Sequence, residues 1–443
     1  MFKKFVLPAV ALAAITSCSS DEVLNTNSNP DGQDYISFNT VVGNNSRVTE
    51  TSINTIETDA NGFYVVAYGD NSMYFNRSAA KHHEAVTGDN PKSEGYYLDE
   101  NYYWPSYELT FAAWYPTTLA TENGKWDAVG NGMGTNEYVA RPDFTDADAS
   151  HRHQINGYHL PTDLSKQVDI VIAREKASKP ANNAAVSLNF RHIFSQIDVK
   201  ANYNGKMEGD KPVVKVEVKG VALRYIPNNG TFTFPNGVTS TTAPATSDWS
   251  IDDTKFTNLT AGTKLSDADA STFDINRFVV NLDAPHTLTS DYYSLNSADA
   301  TTNNNFLVIP QNFDGFSWTE TANANGAYLS VLVKISALQA DKTTYKQIYP
   351  SNTETDNDNE YGWAAVGVFK NAVLKSLEPG THYTINLTFT DTSAGKVDPD
   401  PIDPTPDKPG EDILGEPIWF SVDVAKWVEN SQDINKPTTT PGA

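Results

Sequence analysis

From residue 34 onward, apolar and polar positions alternate in short runs separated by Gly, Asn, Asp and Pro. A period of two is the mark of strands that bury one face, and the separators carry turn chemistry. "DYISFNTVVGNNSRVTE" (34–50) sets the type. Ile36, Phe38, Thr40 and Val42 share one face, "GNNS" supplies a loop, and a lone Arg47 follows. "GFYVVAY" (62–68) and "LTFAAWYP" (109–116) are short, aromatic and β-branched. "QVDIVIA" (167–173) is an apolar run of the kind found in strands covered on both faces. "PVVKVEVKGVALRYI" (212–226) sets Val214, Val216 and Val218 against Lys215, Glu217 and Lys219, which predicts a sheet with one wet face. "RFVVNL", "FLVIP", "YLSVLVKI" and "HYTINLTFT" continue the pattern. Only "WAAVGVFKNAVLKSL" (363–377) is ambiguous between strand and helix, and Gly367 weakens the helical reading. Strands at regular spacing with turn signals predict β-sandwiches. A polar, Pro-containing break at 176–185, "KASKPANNAA", is where the pattern divides.

The two ends depart from this pattern. "MFKKFVLPAVALAAITSC" places Lys3 and Lys4 before an apolar run from Phe5 to Ile15. That run is shorter than the roughly 20 residues a membrane span needs, and it fits the apolar part of a signal peptide. "ITSC" resembles a lipobox, which makes Cys18 the acylated (palmitate-type) N-terminus of a lipoprotein; the alternative is an ordinary secretory signal with a free Cys. Cys18 is the only cysteine, so no intramolecular disulfide forms. At the other end, "SAGKVDPDPIDPTPDKPGEDILGEP" (393–417) reads as an extended, semi-rigid linker with no core of its own. After it comes "IWFSVDVAKW", in which Ile418, Phe420, Val422 and Val424 alternate with Trp419, Ser421 and Asp423. This is a strand that needs a sheet. Its face nearly repeats that of Ile36, Phe38, Thr40 and Val42, as two interchangeable strands for one groove do; chance also produces such matches.

Composition narrows the classes. With 443 residues, 39% of them hydrophobic, the chain is long enough for two or three domains with real cores. A formal charge of −23 repels nucleic acid and anionic lipid, so no nucleic-acid partner is expected. His151, His153 and His159 lack the spacing of a structural zinc site, and "HHEA" (82–85) lacks metalloprotease spacing. "TDNDNEYGW" (355–363) misplaces the Gly of a calcium loop. No nucleophile elbow, phosphate loop or dinucleotide fingerprint occurs, so the expectation is no metal, no cofactor and no enzyme. His192 in "FRHIF" reads as a hydrogen-bonded structural residue. Aromatic residues in "YYWP" and "NGKW" could stack on sugars, but core or edge roles suit them better.

Several stretches resemble the fimbrillin family of Bacteroidia, the type V pilins and their relatives: "GFYVVAY", "YYWPSYELTFAAWYP" (102–116), "VDIVIA", "LNFRHIFSQIDV", "FLVIPQ", "PGTHYTINLTF" and "IWFSVDVAKW". The resemblance implies an all-β chain of two tandem transthyretin-like β-sandwich domains. The expected layout is a signal peptide (1–17), a tether (18–33), an N-terminal domain (34–180), a C-terminal domain (181–392), the linker (393–417) and a donor strand (418–428). It also implies an assembly route. A precursor anchored to the outer membrane through Cys18 is cut by a trypsin-like protease at Arg47–Val48. The placeholder strand Ile36, Phe38, Thr40 and Val42 leaves, and its groove accepts the donor strand Ile418, Phe420, Val422 and Val424 of another pilin subunit. The alternative in a different class is a monomeric surface lipoprotein that binds a host glycan or protein.

Overall fold

The computed structural model describes residues 35–42, 53–70, 72–86, 94–117, 154–181, 184–235, 243–251, 277–296, 305–314, 317–320, 326–351, 360–370, 374–400 and 407–426. Among these residues strands dominate. Two kinds of sheet arise, and the difference between them positions the functional strands.

The first is a closed barrel. Its strands are β1 (Ser37–Val42), β2 (Phe63–Gly69), β3 (Ser72–His83), β4 (Gly95–Leu98), β5 (Leu109–Tyr115), β7 (Val171–Ala177) and β8 (Val186–His192), joined in the order β1-β4-β3-β2-β5-β7-β8 and back to β1. Closure removes the free edges that an open sheet leaves. Most pairings are antiparallel, but β1 runs parallel to β8, with Phe38 beside Val186, Thr40 beside Leu188 and Val42 beside Phe190. Its other edge is antiparallel to β4. β1 is therefore the seam of the barrel. A short helix, α1 (Ile53–Thr58), sends Ile56 into the same core as Ile36 and Phe38.

The second half is built from two open sheets over a common core. One contains β12 (Val214–Arg224), β15 (Arg277–Thr287), β18 (Tyr328–Leu338), β19 (Tyr345–Tyr349), β20 (Gly362–Val366) and β22 (Lys396–Val397), in the main order β15-β12-β18-β20-β22. The other contains β9 (Ser195–Tyr203), β16 (Tyr293–Ser294), β17 (Phe306–Val308), β21 (Thr381–Phe389) and β23 (Trp419–Lys426), in the main order β16-β9-β21-β23. Val216, Val218, Val221, Leu329, Val331 and Val333 of the first meet Ile197, Val199, Ile385 and Leu387 of the second in one apolar cluster. Burial of this kind is the main stabilising term of a sandwich. The expected alternation in β12 holds, with Val214, Val216 and Val218 buried and the charged partners half-exposed. Two smaller pieces complete the strands: a hairpin of β10 (Met207–Glu208) and β11 (Lys211–Pro212), and a three-stranded sheet in which β13 (Asn229–Thr233) lies between β6 (Gln154–His159) and β14 (Trp249–Ile251). The ambiguous segment at 363–377 opens as β20 and passes at Gly367 into a single 3-10 turn, Val368–Lys370.

The change of sheet does not fall at the polar break. Residues 176–185 join β7 to β8, and both strands belong to the barrel. Sheet membership changes between His192 and Ser195, across the fully buried Ile193 and Phe194. β6 in turn leaves the first 180 residues to pair with β13. The described residues of the polar break are exposed or half-buried, whereas the crossing at Ile193 and Phe194 is buried and so is apolar. At that crossing the His192 ring, Nδ1, lies 2.7 Å from the buried carboxylate of Asp169, and the Trp249 indole donates to the Ile193 carbonyl at 2.9 Å. His192 is thus a structural, hydrogen-bonded residue.

Candidate functional site

β1 enters the barrel where the Ile36 amide donates to the Tyr102 carbonyl at 2.8 Å. Ile36, Phe38 and Thr40 are all buried, and Phe38 has no exposed surface. The Phe38 ring lies edge-on to Phe111 at 5.4 Å and to Phe63 at 6.1 Å. Phe63 in turn contacts Phe190 and Tyr96, each at 5.1 Å. The trough that β1 fills is thus walled by Phe63, Tyr96, Phe111, Val186, Leu188 and Phe190. Thr40 is the one polar residue on the inner face of β1. Burial raises the Tyr96 phenol well above its ordinary range, and the nearby Thr40 hydroxyl works in the opposite direction. Val42 ends β1 beside Phe190, and its side chain lies outside the described residues. Cys18 and the Arg47–Val48 bond also lie outside them.

β23 has the same alternation in a different setting. It pairs antiparallel with β21, placing Phe420 opposite Leu387, Val422 opposite Ile385 and Val424 opposite Tyr383. Its other edge carries no strand among the described residues. Burial fades along it. Ile418 is 2% exposed, Phe420 and Val422 are half-buried against the core, and Val424 is 56% exposed. Trp419, on the opposite face, is 59% exposed. Two polar contacts hold the strand down. The Asn386 amide donates to Asp423 at 2.8 Å, and Lys426 donates to the Thr381 hydroxyl at 3.0 Å. The four residues of the expected donor set therefore form one stripe, but only Ile418 is enclosed.

The Pro/Asp-rich stretch departs from expectation. It is not an extended linker where it is described, at 393–400 and 407–417. Ser393, Ala394, Val397, Asp398 and Asp400 are buried, and β22 pairs with β20. The composition argument fails because the acidic residues find buried partners. Arg224, fully buried at the end of β12, lies 3.3 Å from Asp398 and donates to the Ser330 hydroxyl at 3.3 Å. The Tyr328 phenol donates to the other Asp398 oxygen at 2.6 Å, and the Tyr225 phenol donates to Asp400 at 2.5 Å. Burial works against the Arg224 charge, but Asp398, Tyr328, Asp400 and Tyr225 together outweigh it and hold the guanidinium above its ordinary range. No sequence pattern linked Arg224 to an aspartate 174 residues away.

Among the described residues no group of three or more His, Cys, Asp or Glu is arranged to hold a metal ion. His82 lies 3.6 Å from Glu94, and the His159 side chain and all of His151 and His153 lie outside the described residues. In "YYWP", Trp104 is core and Tyr103 is exposed, with its ring 4.7 Å from that of Tyr35.

Among curated proteins none matches the chain in sequence. Solved structures similar to it include a fimbrial protein from Bacteroides vulgatus, 15% identical with a TM-score of 0.43, covering 88% of this chain and 99% of that one. A fimbrilin from Porphyromonas gingivalis is 12% identical with a TM-score of 0.41, covering 90% of this chain and 99% of that one. The sequence profile of the fimbrillin-like family matches residues 46–400, most of the described strands included, and the chain belongs to that family.

Proposed function

We propose that this protein is a structural subunit of a cell-surface fimbria that polymerises by donor-strand exchange. Membership of the fimbrillin-like family supports the pilus-subunit role and a place at the cell surface. In this reading Cys18 carries the lipid that anchors the precursor to the outer membrane, a trypsin-like protease cuts at Arg47–Val48, and β1 leaves. A second copy, or another pilin, then supplies the apolar stripe of its C-terminal strand. The observation that carries the reading is the contrast between β1, a buried seam with both edges paired, and β23, a similar stripe resting on an open edge.

The energetics are consistent with a proteolytic trigger. Ile36 and Phe38 alone, at ~1.5–3 kcal/mol each, give ~3–6 kcal/mol of gross burial. To this is added the pairing of two strand edges, which their loss leaves open. A covalently attached placeholder also has a high effective concentration over any incoming strand. Exchange before cleavage is therefore disfavoured, and cleavage makes it irreversible. An incoming strand supplies both the missing hydrogen bonds and the side chains.

The test is limited trypsin digestion of the precursor with Cys18→Ser, followed by N-terminal sequencing and electron microscopy. Cleavage after Arg47 with SDS-resistant ladders or filaments, lost on deletion of 416–443, is the expected result. Cleavage with a product that stays monomeric overturns it. One observation favours the alternative, a monomeric surface lipoprotein that binds a host glycan or protein: β23 is docked on its own chain.

A further inference from the structure

The C-terminal arm contains two physical regimes. Residues 393–400 and 407–418 fold back on each other and on the body. The Asp398 amide donates to the Trp363 carbonyl at 3.0 Å, Val397 to Glu411 at 2.9 Å, Ile413 to Gly395 at 3.0 Å and Glu416 to Thr392 at 2.9 Å. The Ser393 hydroxyl donates to the Pro417 carbonyl, and Lys396 pairs with Asp412 at 2.8 Å. Beneath them is the buried set of Arg224, Asp398, Tyr328, Tyr225 and Asp400. Removing one partner of a buried pair strands the other charge, so such a set is hard to open by parts. Gly395 seals the upper end. Its φ is +80°, and a Cβ there would lie 2.6 Å from the Ala365 carbonyl oxygen and 3.1 Å from Ile418 Cδ1. Ile418 is thus packed into this loop. One residue later the regime changes, with Trp419 59% exposed and the strand held along a single edge.

We infer that residues 393–400 and 407–418 are a fixed root, locked by Arg224 and Asp398, and that only the tip from Trp419 onward passes to a second copy of the chain. This rests on the strand-exchange reading and sharpens it. Ile418 stays in its own subunit, and Phe420, Val422 and Val424 are the apolar residues delivered. Arg224, Asp398, Tyr328 and Tyr225 are positioning residues: they set which residues the acceptor receives. The eight residues of β23 reach ~26 Å when extended, enough to cover a groove that the six of β1 fill over ~20 Å.

Two engineered disulfides in the Cys18→Ser chain separate the possibilities. Ser393→Cys with Glu416→Cys staples the root across a bridged pair. Asn386→Cys with Ser421→Cys staples the tip to β21 across a registered pair. After trypsin, the oxidised root-stapled protein is expected to polymerise as fast as the unstapled parent, and the tip-stapled protein only after reduction. A root staple that blocks polymerisation until reduced overturns the inference. An oxidised tip staple that polymerises normally overturns it together with the donor role of β23. If the unstapled parent does not polymerise, strand exchange fails, and amide hydrogen exchange on the monomer still decides the root. Amides of 407–418 are expected to exchange at least ~100-fold more slowly than those of 419–426. Asp398→Asn is expected to narrow that gap, whereas equal rates in the parent overturn the root.

Discussion

β1 and β23 carry nearly the same stripe of side chains and sit in opposite circumstances. β1 closes a barrel, has a neighbour on each edge and buries Phe38 completely, with Ile36 just before it almost as enclosed. β23 ends an open sheet, has one neighbour and leaves Val424 more than half exposed. An alternating pattern specifies a strand and its inner face. It does not specify how many edges will be paired or how well the face will be covered, because those depend on which other strands arrive. A strand paired on one edge gives up fewer hydrogen bonds on leaving than a seam strand paired on both.

Mutations can sharpen or break this contrast. The largest effect is expected at Phe38. Phe38→Ala should cost the precursor ~3–5 kcal/mol, read as a lower denaturant midpoint, because the ring is enclosed by Phe63 and Phe111 and cannot be replaced by collapse. A loss below about 1 kcal/mol would mean that β1 is no more committed than β23. Arg224→Leu should cost a similar ~3–5 kcal/mol by leaving Asp398 buried and unpaired, and it should raise proteolytic sensitivity in 393–418. Phe420→Ala should cost the monomer only ~1–2 kcal/mol, since the ring is half-covered. Its effect on filament yield after trypsin should be far larger, because a groove would enclose what the edge leaves exposed. Val424→Ala should stay within ~0.5 kcal/mol of the parent in the monomer.

The smallest expected effect concerns pH. Burial raises the Glu57 carboxyl on α1 above its ordinary range, while nearby His82 opposes the shift and Glu94 and Glu84 add to it. The folded chain therefore holds this proton more tightly than the unfolded chain. The associated stability is fully present below the ordinary glutamate pKa and is lost as pH rises through the raised value. Glu57→Gln should flatten that decline in Tm against pH; an unchanged profile would mean that the Glu57 carboxyl is not the group responsible.

Much of the strand content was legible because alternation and turn residues are local signals. "PVVKVEVK" and "IWFSVDV" each become a strand with the expected face. The fate of Pro/Asp-rich chain was not legible. Composition reports solvation in the absence of partners, and Asp398 has Arg224, Tyr328 and a main-chain amide from Asp400. Those contacts depend on tertiary placement, with separations of 174 and 70 residues for the first two. The position of the sheet change was hidden for the opposite reason: Ile193 and Phe194 look like any other core residues. Likewise, the similarity of β1 to β23 was visible, but their unequal burial was not.

The parallel pairing of β1 with β8 has a consequence for symmetry. A groove bounded by one parallel and one antiparallel neighbour is directional, and a replacement strand that keeps the polarity of β1 can enter in only one sense. Donor and acceptor also lie in different parts of the chain, so in the proposed exchange a single contact is heterologous, and it propagates wherever the two copies do not close as a reciprocal swap. If strand exchange operates as proposed, an open interface of that kind gives a polar filament whose two ends are chemically distinct. One end of such a filament would present an empty trough and the other an unused tip, so growth and termination at the two ends would require different partners.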